Sequence, residues 1–156
     1  PLPALTRLMG LTPGWYSEGV NRPQQGSREI EHTADWELEV WGPDLSALLA
    51  QAAQGMYRLM GIELDAEGRQ RRRLELAADD REQLLVEFLV ELLYLAESER
   101  LAFDRFNLEV VGDRLSADLE GARVRSQAKE IKAVTYHRLV VSDTEHGLET
   151  RIVFDV

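Results

Sequence analysis

Apolar and polar positions change period along this chain, and the changes mark out its elements. Over 36–41 the run Trp-Glu-Leu-Glu-Val-Trp alternates strictly, the two-residue period of a strand. Gly42-Pro43 stops it, and Asp44 stands where a helix start needs a side-chain acceptor. Leu45, Leu48, Leu49, Ala52, Ala53, Met56, Leu59 and Met60 then recur in three- and four-residue steps. That spacing predicts a helix lying on a sheet, closed by Gly61 as a left-handed cap. Over 70–77 alternation returns, with Leu74 and Leu76 on one side and Arg71, Arg73 and Glu75 on the other, predicting a strand with one wet face. A second helix is predicted from Asp79-Asp80 to about Arg100, with an apolar stripe of Leu84, Leu85, Phe88, Leu89, Leu92, Leu93 and Ala96. Its wide, leucine-rich stripe predicts that it is the more deeply buried helix. Strands follow near 106–111 and 114–119 around a Gly112-Asp113 turn. A glycine-containing connection then leads to a strand over 131–141, a turn near 143–147 and a last strand over 148–155.

This order predicts an α+β fold, two helices packed on largely antiparallel β-sheet. A strand–helix–strand order that occurs twice suggests a duplicated unit. Residues 1–28 have no lasting period and are punctuated by Pro13-Gly14, Gly19, Asn21-Arg22-Pro23 and Gln24-Gln25-Gly26-Ser27. They are expected to form a flexible N-terminal extension, with the folded domain over 29–156.

Composition narrows the function more than the fold. At 156 residues, 44% hydrophobic and 29% charged, the chain suits one globular domain with its own core. It has no cysteine, which excludes disulfides, thiolate metal sites and cysteine nucleophiles. No apolar run approaches the roughly 18–20 residues that cross a bilayer, and the opening residues make a poor signal peptide. A cytoplasmic protein with no membrane partner is expected. Eighteen basic against 28 acidic residues give a net charge of −10, which disfavours stand-alone nucleic-acid binding and suits a cation or a basic protein partner. The basic run Arg69-Gln70-Arg71-Arg72-Arg73 reads as a solvated loop or an edge strand.

The densest chemistry is Glu31-His32-Thr33-Ala34-Asp35, two carboxylates and an imidazole at the entrance of the first predicted strand. At the other end, the sequence closes on Phe154-Asp155-Val156. These two acidic ends can share a site only where the first and last strands are neighbours. Asp35 and Asp155 would then offer oxygen ligands, with Glu31, Val156 or a backbone carbonyl completing the shell. All-oxygen donors select Ca²⁺, Mg²⁺ or Mn²⁺ over zinc. The competing reading, two strand-end carboxylates facing water, stays open from pattern alone. His32 could be a ligand, but a lone His near a turn is more often a capping or hydrogen-bonded group; His137 and His146 form no spacing motif with it. Ser126, Ser142, Thr33 and Thr135 show no nucleophile elbow, and the glycines match neither phosphate-loop fingerprint. Lys129 and Lys132 in the run 129–137 suit either a phosphate contact or ordinary edge-strand charge.

Several of these segments, taken in order, resemble the archease family. They are Glu31-His32-Thr33-Ala34-Asp35, Met56-Tyr57-Arg58-Leu59-Met60, the stretch 84–95, Glu130-Ile131-Lys132-Ala133-Val134-Thr135-Tyr136-His137, and Phe154-Asp155-Val156. The resemblance covers about 29–156. It implies an accessory protein, not an enzyme, that activates an RtcB-type RNA ligase in tRNA splicing and tRNA processing or in RNA repair. Such a protein promotes guanylylation of the ligase and its multiple turnover, with GTP shared with the ligase. The resemblance also implies metal binding, calcium or another divalent ion, at Asp35, Asp155 and the main-chain oxygen of Val156. Lys132 would be the functional lysine, with Glu31 and His32 around the site. The chain departs from the family in its long N-terminal segment and in Trp36, where a smaller aliphatic residue is usual. The alternative function is a non-catalytic protein-binding adaptor or chaperone whose cation is purely structural.

Overall fold

Two antiparallel sheets present their apolar faces to the same pair of helices in the computed structural model, which describes residues 22–30 and 35–156. In chain order the elements are β1 (Gly26–Ile30), β2 (Trp36–Gly42), α1 (Leu45–Met60), β3 (Glu63–Leu64), β4 (Gln70–Ala77) and α2 (Arg81–Ser98). They continue with β5 (Leu101–Val111), β6 (Arg114–Ser126), β7 (Ala133–Val134), β8 (Ser142–Thr144) and β9 (Gly147–Asp155). One sheet runs β1-β2-β9-β7 with β8 also on β9; the other runs β3-β6-β4 with β5 on the far side of β6. Every pairing is antiparallel, so the α+β class expected from the pattern is the fold observed.

Local chemistry starts and stops the helices. The Asp44 carboxylate accepts from the Ala47 N–H at 2.8 Å, and Asp80 accepts likewise from Gln83 at 2.8 Å. Each such cap stabilises its helix by about 1 kcal/mol. The Gln83 side chain in turn accepts from the Asp79 N–H at 2.7 Å, so orphan donors on both sides of the cap are used. Gly61 takes φ 64°, and its N–H donates to the Arg58 carbonyl while that of Ile62 donates to Tyr57, ending α1 without a β-carbon penalty.

Side-chain alternation then builds one core. Leu38 and Val40 of β2 and Ile152 and Phe154 of β9 point inward against Leu48, Leu49, Ala52 and Met56 of α1. α2 brings Leu84, Leu85, Phe88, Leu89 and Leu92, and β6 adds Leu115, Ala117 and Leu119. Each helix buries eight residues, and α2 supplies five of the largest fully buried side chains (Leu84, Leu85, Phe88, Leu89 and Leu92) against three from α1 (Leu48, Leu49 and Met56). The outward side of α2 keeps Val90 and Tyr94 in solvent, while the small residues of α1 let it lie close on its sheet.

Four features depart from the sequence pattern. β1 precedes the first predicted strand and pairs with β2 from Gly26↔Trp41 to Ile30↔Glu37. Ahead of it, Arg22 stacks 3.8 Å from the Trp41 ring centroid and bonds Glu149 at 3.0 Å, while the Trp41 indole N–H donates to the Pro23 carbonyl at 2.8 Å. Of the segment read as an extension, residues 22–28 are therefore tied to the sheet; residues 1–21, together with 31–34, lie outside the described residues.

The second departure is that β5 and β6 are about twice as long as predicted, and Gly121 sits inside β6 rather than in a connection. A β-carbon there would lie 1.9 Å from the Ala102 carbonyl oxygen, at the point where β5 shifts register between Phe103 and Arg105. Third, a two-residue strand, β3, pairs the chain after α1 with β6.

The fourth departure is the predicted strand over 131–141, which shrinks to β7. The Arg81 guanidinium donates to the Val141 carbonyl at 2.7 Å and the Glu82 carboxylate accepts from the Val141 N–H at 2.8 Å. Side chains from the first turn of α2 thus occupy the backbone groups that a ladder would have used. A turn from Tyr136 to Leu139, with Arg138 at φ 54°, completes the break.

Candidate functional site

The first question is whether the two acidic ends meet. β2 and β9 are direct neighbours, paired from Gly42↔Leu148 to Trp36↔Phe154. Carried one residue further, this register sets Asp35 opposite Asp155, on the sheet face turned away from the helices. Directly opposed antiparallel residues have β-carbons about 4.5–5.5 Å apart. Both aspartates are exposed, and among the described residues neither carboxylate has an ion pair or hydrogen-bond partner. β7 lies on the other side of β9 with Ala133 opposite Asp155, and the Lys132 N–H donates to the Asp155 carbonyl at 2.8 Å. The next step of that register puts Lys132 opposite Val156. Main-chain pairing therefore collects Asp35, Asp155, Val156 and Lys132 at one end of the sheet. By strand alternation, the Lys132 side chain leaves on the opposite face from Asp155. Glu31 and His32 fall outside the described residues.

The donor set is oxygen only: two carboxylates plus the main-chain oxygens of the last residues. That chemistry fits a hard divalent cation with several positions left for water. Among the described residues no group of three or more His, Asp or Glu side chains is placed to hold a metal.

The same face carries residues that the sequence pattern did not single out. Asp35, Glu37, Val153 and Arg151 line a cavity of about 250 Å³, with His137 and Arg138 entering from the turn after β7. The Arg151 guanidinium reaches Glu37 at 3.9 Å and Glu39 at 3.5 Å, and Arg28 holds Glu39 at 2.9 Å. These pairs neutralise the inner carboxylates of the face and leave Asp35 at its open end. Alternation counted back from Asp155 through Val153 already puts Arg151 on this face; no comparable signal marks His137 or Arg138.

Trp36 also gains a physical account. Its ring lies under the Lys129 ammonium, 4.6 Å from centroid to nitrogen, an aromatic–cation contact that an aliphatic residue would lack. The arginines of the run 69–73 are held on the second sheet: Arg69 by Asp104 and Glu120, Arg72 by Glu99, Arg73 by Asp118 and Glu75. Hydrogen bonding to Arg69 and Arg72 holds Asp104 and Glu99 below the usual carboxylate range.

Fold and site together define a small two-sheet, two-helix α+β protein whose terminal strand meets its second strand at a carboxylate-bearing edge. The model of the Archease protein family (MTH1598/TM1083) matches residues 28–156, and the chain belongs to that family. It is 31% identical to the protein archease of Methanosarcina acetivorans over 145 residues, covering 86% of this chain and 99% of that one. To the protein archease of Archaeoglobus fulgidus it is 33% identical over 138 residues, covering 83% and 98%. Two solved structures share the architecture. The solution structure of Methanobacterium thermoautotrophicum protein 1598 superposes with a TM-score of 0.66 at 26% identity, covering 84% of this chain and 99% of that one. The crystal structure of an archease, described as a possible chaperone, from Thermotoga maritima gives 0.63 at 28%, covering 83% and 96%.

Proposed function

We propose that this chain is an accessory protein of an RtcB-type RNA ligase. In this reading it promotes guanylylation and repeated turnover of the ligase in tRNA splicing or RNA repair, and is not itself an enzyme. Family membership supports the reading, and one observation carries it to this molecule: the β2–β9 pairing ends at Trp36↔Phe154, which brings Asp35 and Asp155 to the same end of the sheet, with neither carboxylate neutralised by a described residue. Asp35, Asp155 and the Val156 main chain would hold a divalent cation, Ca²⁺, Mg²⁺ or Mn²⁺. Such an ion supplies charge screening for nucleotide phosphates. The protein's own contribution is to present that edge, with Lys132 beside it, to the ligase and its GTP.

The test is a guanylylation assay with the cognate ligase, with and without this protein, in Mg²⁺, Mn²⁺ and Ca²⁺. Stimulation by wild type and its loss in Asp35→Ala/Asp155→Ala are the expected results. Equal stimulation by the double variant would overturn the assignment. A second reading has its own support, because a cation between β2 and β9 would also staple the two strands. As an adaptor or chaperone with a structural cation, the double variant would lose ligase binding together with its cation-dependent stability. As an activator, it stays folded and bound and loses only stimulation. Turnover of a phosphoester without any ligase would point to a hydrolase instead.

A further inference from the structure

Four of the five large hydrophobic side chains most exposed in the described structure belong to α2 and to the segment packed along it. They are Val90 (46% exposed) and Tyr94 (61%) on α2, and Tyr136 (55%) and Val140 (61%) on the segment that follows β7. The fifth, Val111, stands apart at the β5–β6 hairpin. Single exposed apolar residues are ordinary, but a shared edge with two tyrosines is not. The segment 127–143 runs antiparallel along α2: Ala128 to Ile131 lie by Leu93 and Glu97, and Val141 is held by Arg81 and Glu82. Tyr136 belongs to the same edge. Partial burial and then the Glu87 and Asp80 carboxylates raise its phenol above the ordinary tyrosine value.

Charge gives the edge a preference. Glu87, Val90, Glu91, Tyr94 and Glu97 fall at three- and four-residue steps, one face of the helix. Among the described residues Glu87, Glu91 and Glu97 make no ion pair. The helix face is thus acidic, aromatic-bearing and without a partner. A second copy of this chain would bring the same acids to the contact and a net charge of −10 to each side, so self-association is disfavoured.

We infer that this seam is a docking face for a basic protein surface that buries Tyr94 and Tyr136. Resting on the function proposed above, the partner is the ligase, seated along the segment that begins beside Asp155 at β7, next to the carboxylate edge. Tyrosine anchors ringed by charge match the usual make-up of such contacts.

Titration calorimetry of the full chain against the cognate ligase tests this. Tyr94→Ala/Tyr136→Ala and Glu87→Lys/Glu91→Lys should each weaken binding at least tenfold with unchanged circular dichroism, and Val111→Ser should stay within twofold. Amide exchange of the unmodified complex supplies a reading independent of variant folding, with protection expected on α2 and over 131–141. Seam variants that bind within twofold of wild type, no protection there, or a wild-type dimer that these variants dissociate would each overturn the docking face. Wild type that fails to bind the ligase at all would overturn the proposed function and this partner together. Binding lost in seam variants but kept in Asp35→Ala/Asp155→Ala, with stimulation lost in both, is the outcome both proposals require.

Discussion

Replacing either facing aspartate should change the sign of its effect on stability when a divalent cation is added. The β2–β9 pairing ends at Trp36↔Phe154, and the next residue on each strand, Asp35 and Asp155, is exposed to water. Two unit charges about 5 Å apart in a water-like dielectric repel by about 1 kcal/mol, and salt screens part of that. Without divalent ions, Asp35→Asn or Asp155→Asn should therefore melt at or slightly above wild type. With a bound cation the balance inverts. At a hundredfold excess over the dissociation constant, one site that only the folded state offers stabilises it by about 2.7 kcal/mol. For a chain of this size that is a rise in Tm of roughly 5–11 °C.

Scanning calorimetry in EDTA, then in excess Ca²⁺, Mg²⁺ or Mn²⁺, reads both halves of the expectation. Wild type should gain several degrees with at least one ion, and each Asn variant should gain little while matching or exceeding wild type in EDTA. The EDTA arm matters because a variant that is merely damaged would melt low in both conditions. Wild type indifferent to all three ions, or Asn variants that respond as wild type does, would refute the shared-site reasoning.

Other substitutions test the packing. Gly121→Ala drives a methyl group into the Ala102 carbonyl, which lies 1.9 Å from the required β-carbon position, so urea unfolding should show a loss of several kcal/mol or no folded protein. Tyr57 buries its hydroxyl beside the Phe103 backbone with no hydrogen bond of good geometry, and burial pushes its phenol up. Tyr57→Phe should therefore be neutral or stabilising by up to about 1 kcal/mol in the same assay, and a loss above about 1 kcal/mol would reveal a bond that the geometry lacks. Hydrogen bonding to the Arg81 guanidinium holds Asp143 below the usual carboxylate range. Its stabilising effect is then complete above the unfolded value of about 3.9 and is lost as pH falls through the lowered folded value. Urea midpoints of wild type and Asp143→Asn should differ slightly at pH 6 and converge near pH 2; a gap that widens in acid would contradict this.

Much of the fold is legible because its signals are local. The Leu-Ala-Met stripe after Asp44, the Asp79-Asp80 start and the Gly61 stop are each read within one or two turns, and both helices appear with those caps. What escapes depends on distant partners. The run 131–141 contains ordinary strand-formers, yet Arg81 and Glu82, some sixty residues earlier, take the backbone of Val141. Gly121 looks like a turn residue until the bulge of β5 is seen to press against it. β1 hides among turn-forming residues because its pairing with β2, and the Arg22–Trp41 stack ahead of it, are tertiary facts.

The candidate site divides along the same line. Its two aspartates are visible as acidic punctuation at strand ends, but one-dimensional pattern cannot show that those ends are neighbours. Only the antiparallel register does so, by summing positions across β2 and β9. Once that register is granted, alternation brings Arg151 and Glu37 to the same face at no further assumption. His137 and Arg138 require the turn after β7, which exists because α2 has captured the chain beyond it. The segment that ends at this capture begins beside Asp155, through the Lys132 bond to its carbonyl. A single stretch of backbone therefore links the carboxylate edge to the aromatic seam on α2. Loosening it with Asp143→Asn should disturb both, whereas a change at Val111 should disturb neither.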